Sequence, residues 1–151
     1  NKKKISKKDF KKFHPSGNLG AKLKTVEDLM LTKEKIPFIN ENSTMRVALK
    51  IITLKKLGTL IARNSKGTTT GIITDGQIRR INQKYNNFHD QKVKKVMTKN
   101  PISVYKETLA MKALSIMNDN KITSLCVSSF TNKKKTIGII HIHNILEGTV
   151  N

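Results

Sequence analysis

The residues whose types and spacing could do chemistry fall in two short runs, Gly71-Ile-Ile-Thr-Asp-Gly-Gln77 and Gly138-Ile-Ile-His-Ile-His-Asn144. In each, a glycine and two isoleucines read as a strand, and polar side chains follow where the strand gives way to a helix. Thr74, Asp75 and Gln77 in the first run, and His141, His143 and Asn144 in the second, can hydrogen-bond hydroxyls and anions at a strand end. Thr123 and Ser124 add two hydroxyls at the start of another strand. The chemistry expected of this set is binding. A purely structural role for Thr74 and Asp75, as caps of the helix that follows, fits their positions equally well.

Two other reactive types have ordinary explanations. His141 and His143 lie two apart, so on a continuing strand they share a face, as metal ligands would. No third histidine, cysteine or nearby carboxylate stands in the motif, and no metal is assigned. Cys126 is the single cysteine and lies in the apolar run Ser124 to Val127, which marks it as a core residue. With no disulfide partner, a reducing, cytoplasmic compartment fits best.

The elements that must position these residues are written twice. Val26-Glu-Asp-Leu-Met30 returns as Val93-Lys-Lys-Val-Met97, and Gly71-Ile-Ile-Thr74 as Gly138-Ile-Ile-His141, both 67 residues on. Ala48-Leu49 returns as Ala113-Leu114 after 65, so a two-residue length difference lies in the loops. In the first copy Ser43 is a plausible N-cap, Val47, Ile51, Leu54 and Leu57 recur at helical spacing, and Gly58 is a stop, which predicts a helix over 44–57. Strands over 59–63 and 70–74, a turn over 64–67 and a helix over 75–84 follow. The second copy predicts a helix over 108–118, with Leu109, Ala113, Ile116 and Met117 apolar, then strands over 123–128 and 136–140 around a turn at 131–135, and a short helix over 144–147.

A small sheet with two helices can cover only one sheet face, so two such units should pack through their sheets. The fold class expected is therefore α/β (α+β), a pseudo-two-fold pair. Residues 1–24 read as the end of a preceding domain and a linker, 25–84 as the first copy and 85–151 as the second. The start at Asn1 rather than methionine suggests a piece of something longer.

A formal net charge of +20, from 30 Lys+Arg and 10 Asp+Glu, invites a nucleic-acid reading. Only Arg46, Arg63, Arg79 and Arg80 are arginines, and aromatics make up 5% without alternating with the basic residues. Bidentate base recognition and stacking platforms both need more. The lysines read as a solvated surface that attracts anions generally, and no specific nucleic-acid partner is expected. Arg79-Arg80 is either an anion contact or a solvated helix end. No apolar tract approaches the roughly 20 residues of a membrane span, so no membrane partner is expected either.

These motifs resemble the CBS (cystathionine-β-synthase) domain, whose repeats carry an early Asp-hydrophobic-Met element, a helix, and a Gly-hydrophobic-hydrophobic-Thr-x-x-Asp ending. The matching pieces are Glu27-Asp28-Leu29-Met30 with Gly71 to Gln77, and Lys95-Val96-Met97-Thr98 with Gly138 to Asn144. More narrowly, Phe13-His14-Pro15-Ser16-Gly17-Asn18-Leu19-Gly20, then Thr25 to Met30, Gly71 to Gly76 with Arg79-Arg80, and His141-Ile-His143 are similar to the C-terminal part of the bacterial arabinose-5-phosphate isomerases.

That resemblance implies a preceding sugar-isomerase (SIS) domain interconverting ribulose 5-phosphate and arabinose 5-phosphate, for Kdo and lipopolysaccharide synthesis. It further implies a homodimer through the paired repeats and a tetramer in the full enzyme. Such an isomerase needs a base and an acid flanking an enediol-forming carbon pair, a constellation absent from this chain, so the fragment is not itself expected to be an enzyme. His14 matches a histidine that the family is thought to use for catalysis. The Thr and final Asp of the CBS ending contact phosphate and ribose in nucleotide-binding pairs. Here Gln77 and Asn144 stand where Asp is usual, which removes a charge from the ribose contact. No cofactor is required; the effector implied is a nucleotide or nucleotide sugar such as CMP-Kdo or AMP. A dimerisation module without ligand, and more remotely a basic nucleic-acid-binding domain, remain as alternatives.

Overall fold

In the computed structural model, which describes residues 23–150, each chemistry-bearing strand lies inside a separate small sheet. The first sheet contains β1 (Phe38–Asn40), β2 (Thr59–Arg63), β3 (Thr69–Thr74) and β4 (Thr98–Lys99), in that order. The second contains β5 (Ser103–Tyr105), β6 (Ser124–Ser128) and β7 (Gly138–His141). In both, a parallel first strand precedes an antiparallel hairpin: Phe38 pairs with Ile61 and Ser103 with Cys126, while Ile61 pairs with Ile72 and Cys126 with Ile139. A parallel pair requires a crossover, supplied by the helices α2 (Met45–Lys55) and α5 (Ala110–Asn120). The mixed α/β class and the paired arrangement expected from the repeat are both present.

Helix α2 buries a different face from the one the leucine spacing suggested. In α2 the buried residues are Met45, Ala48 and Ile52, spaced i, i+3, i+7, whereas Val47 and Leu54 are 42% and 76% exposed. In α5 the expected stripe largely holds: Ala113 and Met117 are buried together with Ala110, and only Leu109, just ahead of the helix, is exposed. Thr44, not Ser43, is the N-cap, and α2 ends at Lys55 because Lys56 takes a left-handed conformation, as Lys121 does after α5. Gly58, at φ +70°, then completes the turn into β2.

The short helices α1 (Val26–Leu29) and α4 (Val93–Val96) carry the repeated Val-x-x-hydrophobic-Met element, and each docks on the other copy. Val26 belongs to the core of Val104, Met117, Leu125, Ile140 and Ile145, with Leu29 and Met30 packed against it. Val93 and Val96 belong to the core of Met45, Ile52, Leu60 and Ile73, with Met97 against it. The exchange is reciprocal in detail: Leu31 bridges Ile139, and Thr98, 67 residues later, pairs with Ile72. Copies that are consecutive in sequence are thus interleaved in space.

A third cluster, of Ile36, Ile61, Cys126 and Ile139, joins the two sheets, as the one-face burial argument requires. Thr69 and Thr136, again 67 apart, meet through their hydroxyls at 2.5 Å across the pseudo-two-fold axis. Burial pushes the Cys126 thiol up to about 11, partly offset by a hydrogen bond with the Thr136 side chain. This is the environment of an inert core cysteine.

Candidate functional site

Two helices start where the sequence places the polar runs: α3 (Asp75–Ile81) after β3 and α6 (Ile142–Val150) after β7. Their caps differ. At α3, Thr74 is the N-cap, its hydroxyl accepting a bond from the Gln77 N–H at 3.2 Å. The capping role read as one of two possibilities for Thr74 is therefore present, and it leaves the threonine beside open space. At α6, Asn144 Oδ1 accepts from the His141 N–H at 2.8 Å, and His141 Nδ1 accepts from the His143 N–H at 3.1 Å. These two bonds start α6 at Ile142, two residues before the expected beginning, and Ile145 and Thr149 bury its inner face through to the end.

The site itself is a cleft of about 580 Å³ between the halves. One wall is the end of the first sheet, with Leu57, Gly58, Ile72 and the run Thr74 to Gln77. The second is the segment linking the sheets, Thr98 with Asn100, Pro101 and Ile102. The third is Lys121 to Ser124, leading into the first residue of β6. Its volume lies within the roughly 300–1,000 Å³ of small-molecule sites. The apolar side chains Leu57, Ile72, Ile102 and Ile122 can hold a flat or aliphatic group, and Thr74, Thr98, Thr123 and Ser124 offer hydroxyls. Ser124 is only 6% exposed, and its hydroxyl has no hydrogen-bond partner among the described residues. A buried hydroxyl of that kind is available to an incoming polar atom.

Charge at the cleft is mixed, with a basic excess. Asp75 is exposed at the start of α3, with a carboxylate oxygen near Gly58. Arg80 and Lys121 also line the space. The Arg80 side chain folds back along α3, so that a methyl group on Gly76 would stand 3.2 Å from its guanidinium nitrogen. Two cations against one carboxylate favour an anion.

Of the residues singled out from the sequence, Thr74, Asp75, Gln77, Thr123 and Ser124 converge on this cleft. Gln77 is partly committed elsewhere, its side-chain amide donating to the Val96 carbonyl at 2.9 Å. His141, His143 and Asn144 do not line it; they occupy the pseudo-symmetric position at the start of α6. There the two imidazoles stack, with ring centroids 4.8 Å apart. Desolvation, then the charge of His143, lowers the pKa of His141. Among the described residues no cluster of three or more His, Cys, Asp or Glu could hold a metal ion. His14 lies outside the described residues.

Sequence reasoning missed the linking segment and Lys121. The Asn100-Pro101 dipeptide was a turn signal, and Asn100 does take φ +54°. Lys121 follows from the repeat, as the counterpart of the equally left-handed Lys56.

The CBS domain model matches residues 26–84 and 93–150. An arabinose 5-phosphate isomerase KdsD from Francisella tularensis is 38% identical over 147 residues, 96% of this chain and 44% of that protein. The chain spans 43–44% of the length of the curated relatives it matches first. Among solved structures, CBSX2 in complex with AMP superposes with a TM-score of 0.73 at 21% identity, covering 82% of this chain and 94% of that one. The CBS pair of MJ0100, in complex with 5-methylthioadenosine and S-adenosylmethionine, gives 0.72 at 19%, covering 83% and 94%. With both copies matched, interleaved and joined through their sheets, the chain belongs to the CBS domain family, as a tandem pair.

Proposed function

We propose that this CBS pair is the regulatory, ligand-binding part of an arabinose 5-phosphate isomerase, and that its ligand is a nucleotide or nucleotide sugar such as AMP or CMP-Kdo. The observation that carries the reading is the cleft: an apolar slot closed by the buried Ser124 hydroxyl, which has no partner among the described residues, and flanked by Arg80 and Lys121. A base fits between the isoleucines, hydroxyls meet the sugar, and the cations meet phosphate or carboxylate. The AMP and S-adenosylmethionine complexes of structurally similar CBS pairs support a nucleotide as the ligand class. The identity with KdsD proteins supports the isomerase as the parent.

In that parent, the preceding domain interconverts ribulose 5-phosphate and arabinose 5-phosphate, and residues 1–24 are the end of it and its linker. The segments 25–84 and 85–151 are the two regulatory copies, and His14 serves the isomerase active site. The pair dimerises, the parent forms a tetramer, and it works in the cytoplasm. None of the described helices is long and apolar enough to cross a membrane.

A thermal-shift panel with CMP-Kdo, CMP, AMP, ATP and arabinose 5-phosphate tests the ligand class. Saturation at about 100 times the dissociation constant adds about 2.7 kcal/mol, roughly 5–10 °C for a chain of this size. A selective shift with one nucleotide is expected; a shift with arabinose 5-phosphate alone would replace the nucleotide reading by product sensing.

A further inference from the structure

The pseudo-two-fold axis calls for a second cleft, built from His141 to Asn144, from Leu31 to Pro37 and from Lys56 to Thr59. We infer that this second cleft is permanently closed by Ile36, so that the module binds one nucleotide per chain, in the cleft lined by Ile102. The inference rests on the nucleotide reading above and adds its stoichiometry.

The closure comes from the two-residue length difference in the repeat. Lys33 and Asn100 mark the same point in the two copies and share φ +54°. From there the open side needs only Pro101 and Ile102 to reach β5 at Ser103, whereas the other side runs through Glu34, Lys35, Ile36 and Pro37 to reach β1 at Phe38. The longer path forms a 3₁₀ turn over Lys33–Lys35, closed by bonds from the Lys35 N–H to the Thr32 carbonyl at 3.1 Å and from the Ile36 N–H to the Lys33 carbonyl at 3.0 Å. The Lys55 ammonium fastens the turn to α2 by donating to the Glu34 carbonyl at 2.5 Å.

What the turn delivers is an isoleucine. Ile36 is 6% exposed and packs in one cluster with Ile61, Cys126 and Ile139, against which Leu31, Phe38 and Leu57 also pack. On the open side Ile102 is 41% exposed and its neighbour Pro101 lines empty space. The same fold therefore has an apolar plug on one side of the axis and a ligand-sized opening on the other.

Isothermal titration with AMP and with CMP as probes, on the wild-type chain and on Ile102→Trp, tests this. One site per chain is expected, weakened at least tenfold by Ile102→Trp, which fills the opening without touching the core. Two sites per chain, or one site indifferent to Ile102→Trp, would overturn the inference. Ile36→Gly should add a second, weaker site. If neither nucleotide binds, the nucleotide reading fails, and thiol labelling still decides the closure. Ile36→Cys should label more than tenfold slower than Ile102→Cys, with wild type as the blank because Cys126 is buried. Labelling of the two within tenfold of each other would show that the second cleft opens.

Discussion

Gly138→Ala probes the interleaving of the copies, because the atom it adds meets a residue from the far end of the chain. A Cβ at Gly138 would collide with the Sδ of Met30 and stand 3.1 Å from both Met30 Cγ and the Leu31 carbonyl oxygen. In an open strand the same change would stabilise by about 0.4–1 kcal/mol through the unfolded chain. Overpacking costs about 1–3 kcal/mol. The collision outweighs the gain here, and a net loss of about 2 kcal/mol is expected, or roughly 4–8 °C in Tm. Met30→Ala removes the colliding atoms, so in that background the cost of Gly138→Ala should fall by about 1–2 kcal/mol, the coupling of residues in contact. Met97 packs against Gly71 instead. Gly138→Ala and Met97→Ala should therefore add within about 0.5 kcal/mol. Urea denaturation followed by circular dichroism measures each corner of both cycles, as changes in midpoint at constant m. Coupling of Gly138 to Met97 rather than Met30, or a stabilising Gly138→Ala, would refute the reciprocal docking.

Thr74→Ala should destabilise by about 1 kcal/mol through loss of the α3 cap, while Thr74→Ser keeps most of it, measured by the same denaturation. Ile145→Ala, at a fully buried position of α6, should cost about 3 kcal/mol, enough to lower Tm by roughly 6–12 °C. Cys126 keeps its proton in the folded state until about pH 11 but loses it near 9 in the unfolded chain. Its contribution is thus full below pH 9 and declines as pH rises toward 11, by about 2–3 kcal/mol in all; a Cys126→Ala variant should lack that decline in a series of Tm against pH. His141 has the opposite sign: its lowered pKa means that the folded state resists protonation, so stability should drop as pH falls below the ordinary histidine range, and His141→Gln should flatten that slope.

The repeat made the fold legible: β2 runs over the expected 59–63, and the hairpin partner β3 starts one residue early. The parallel strands β1 and β5 were not foreseen. Each has three residues, too few to show a period of two, and each gains its register only from a partner beyond a helix. The interleaving was equally hidden, because Val26-x-x-Leu29-Met30 reads the same whichever core receives it. The buried face of α2 was misread since the small Ala48 is buried while the larger Val47 and Leu54 face outward; in α5 the stripe of Ala113 and Met117 is buried as read, and only Leu109 faces outward. At the site, motif residues identified the strand ends, and five of the eight meet in one cleft. The asymmetry that separates the other three lies in a loop length, whose effect depends on where Ile36 lands.

The most direct test of the account is an amide chemical-shift map of the ¹⁵N-labelled chain titrated with the nucleotide that gives the largest thermal shift. Saturable shifts are expected at Thr74 to Gln77, Thr98 to Ile102 and Lys121 to Ser124, with the amides of Ile36 and His143 little changed. Shifts centred on His141 to Asn144, or none with any nucleotide, would contradict it.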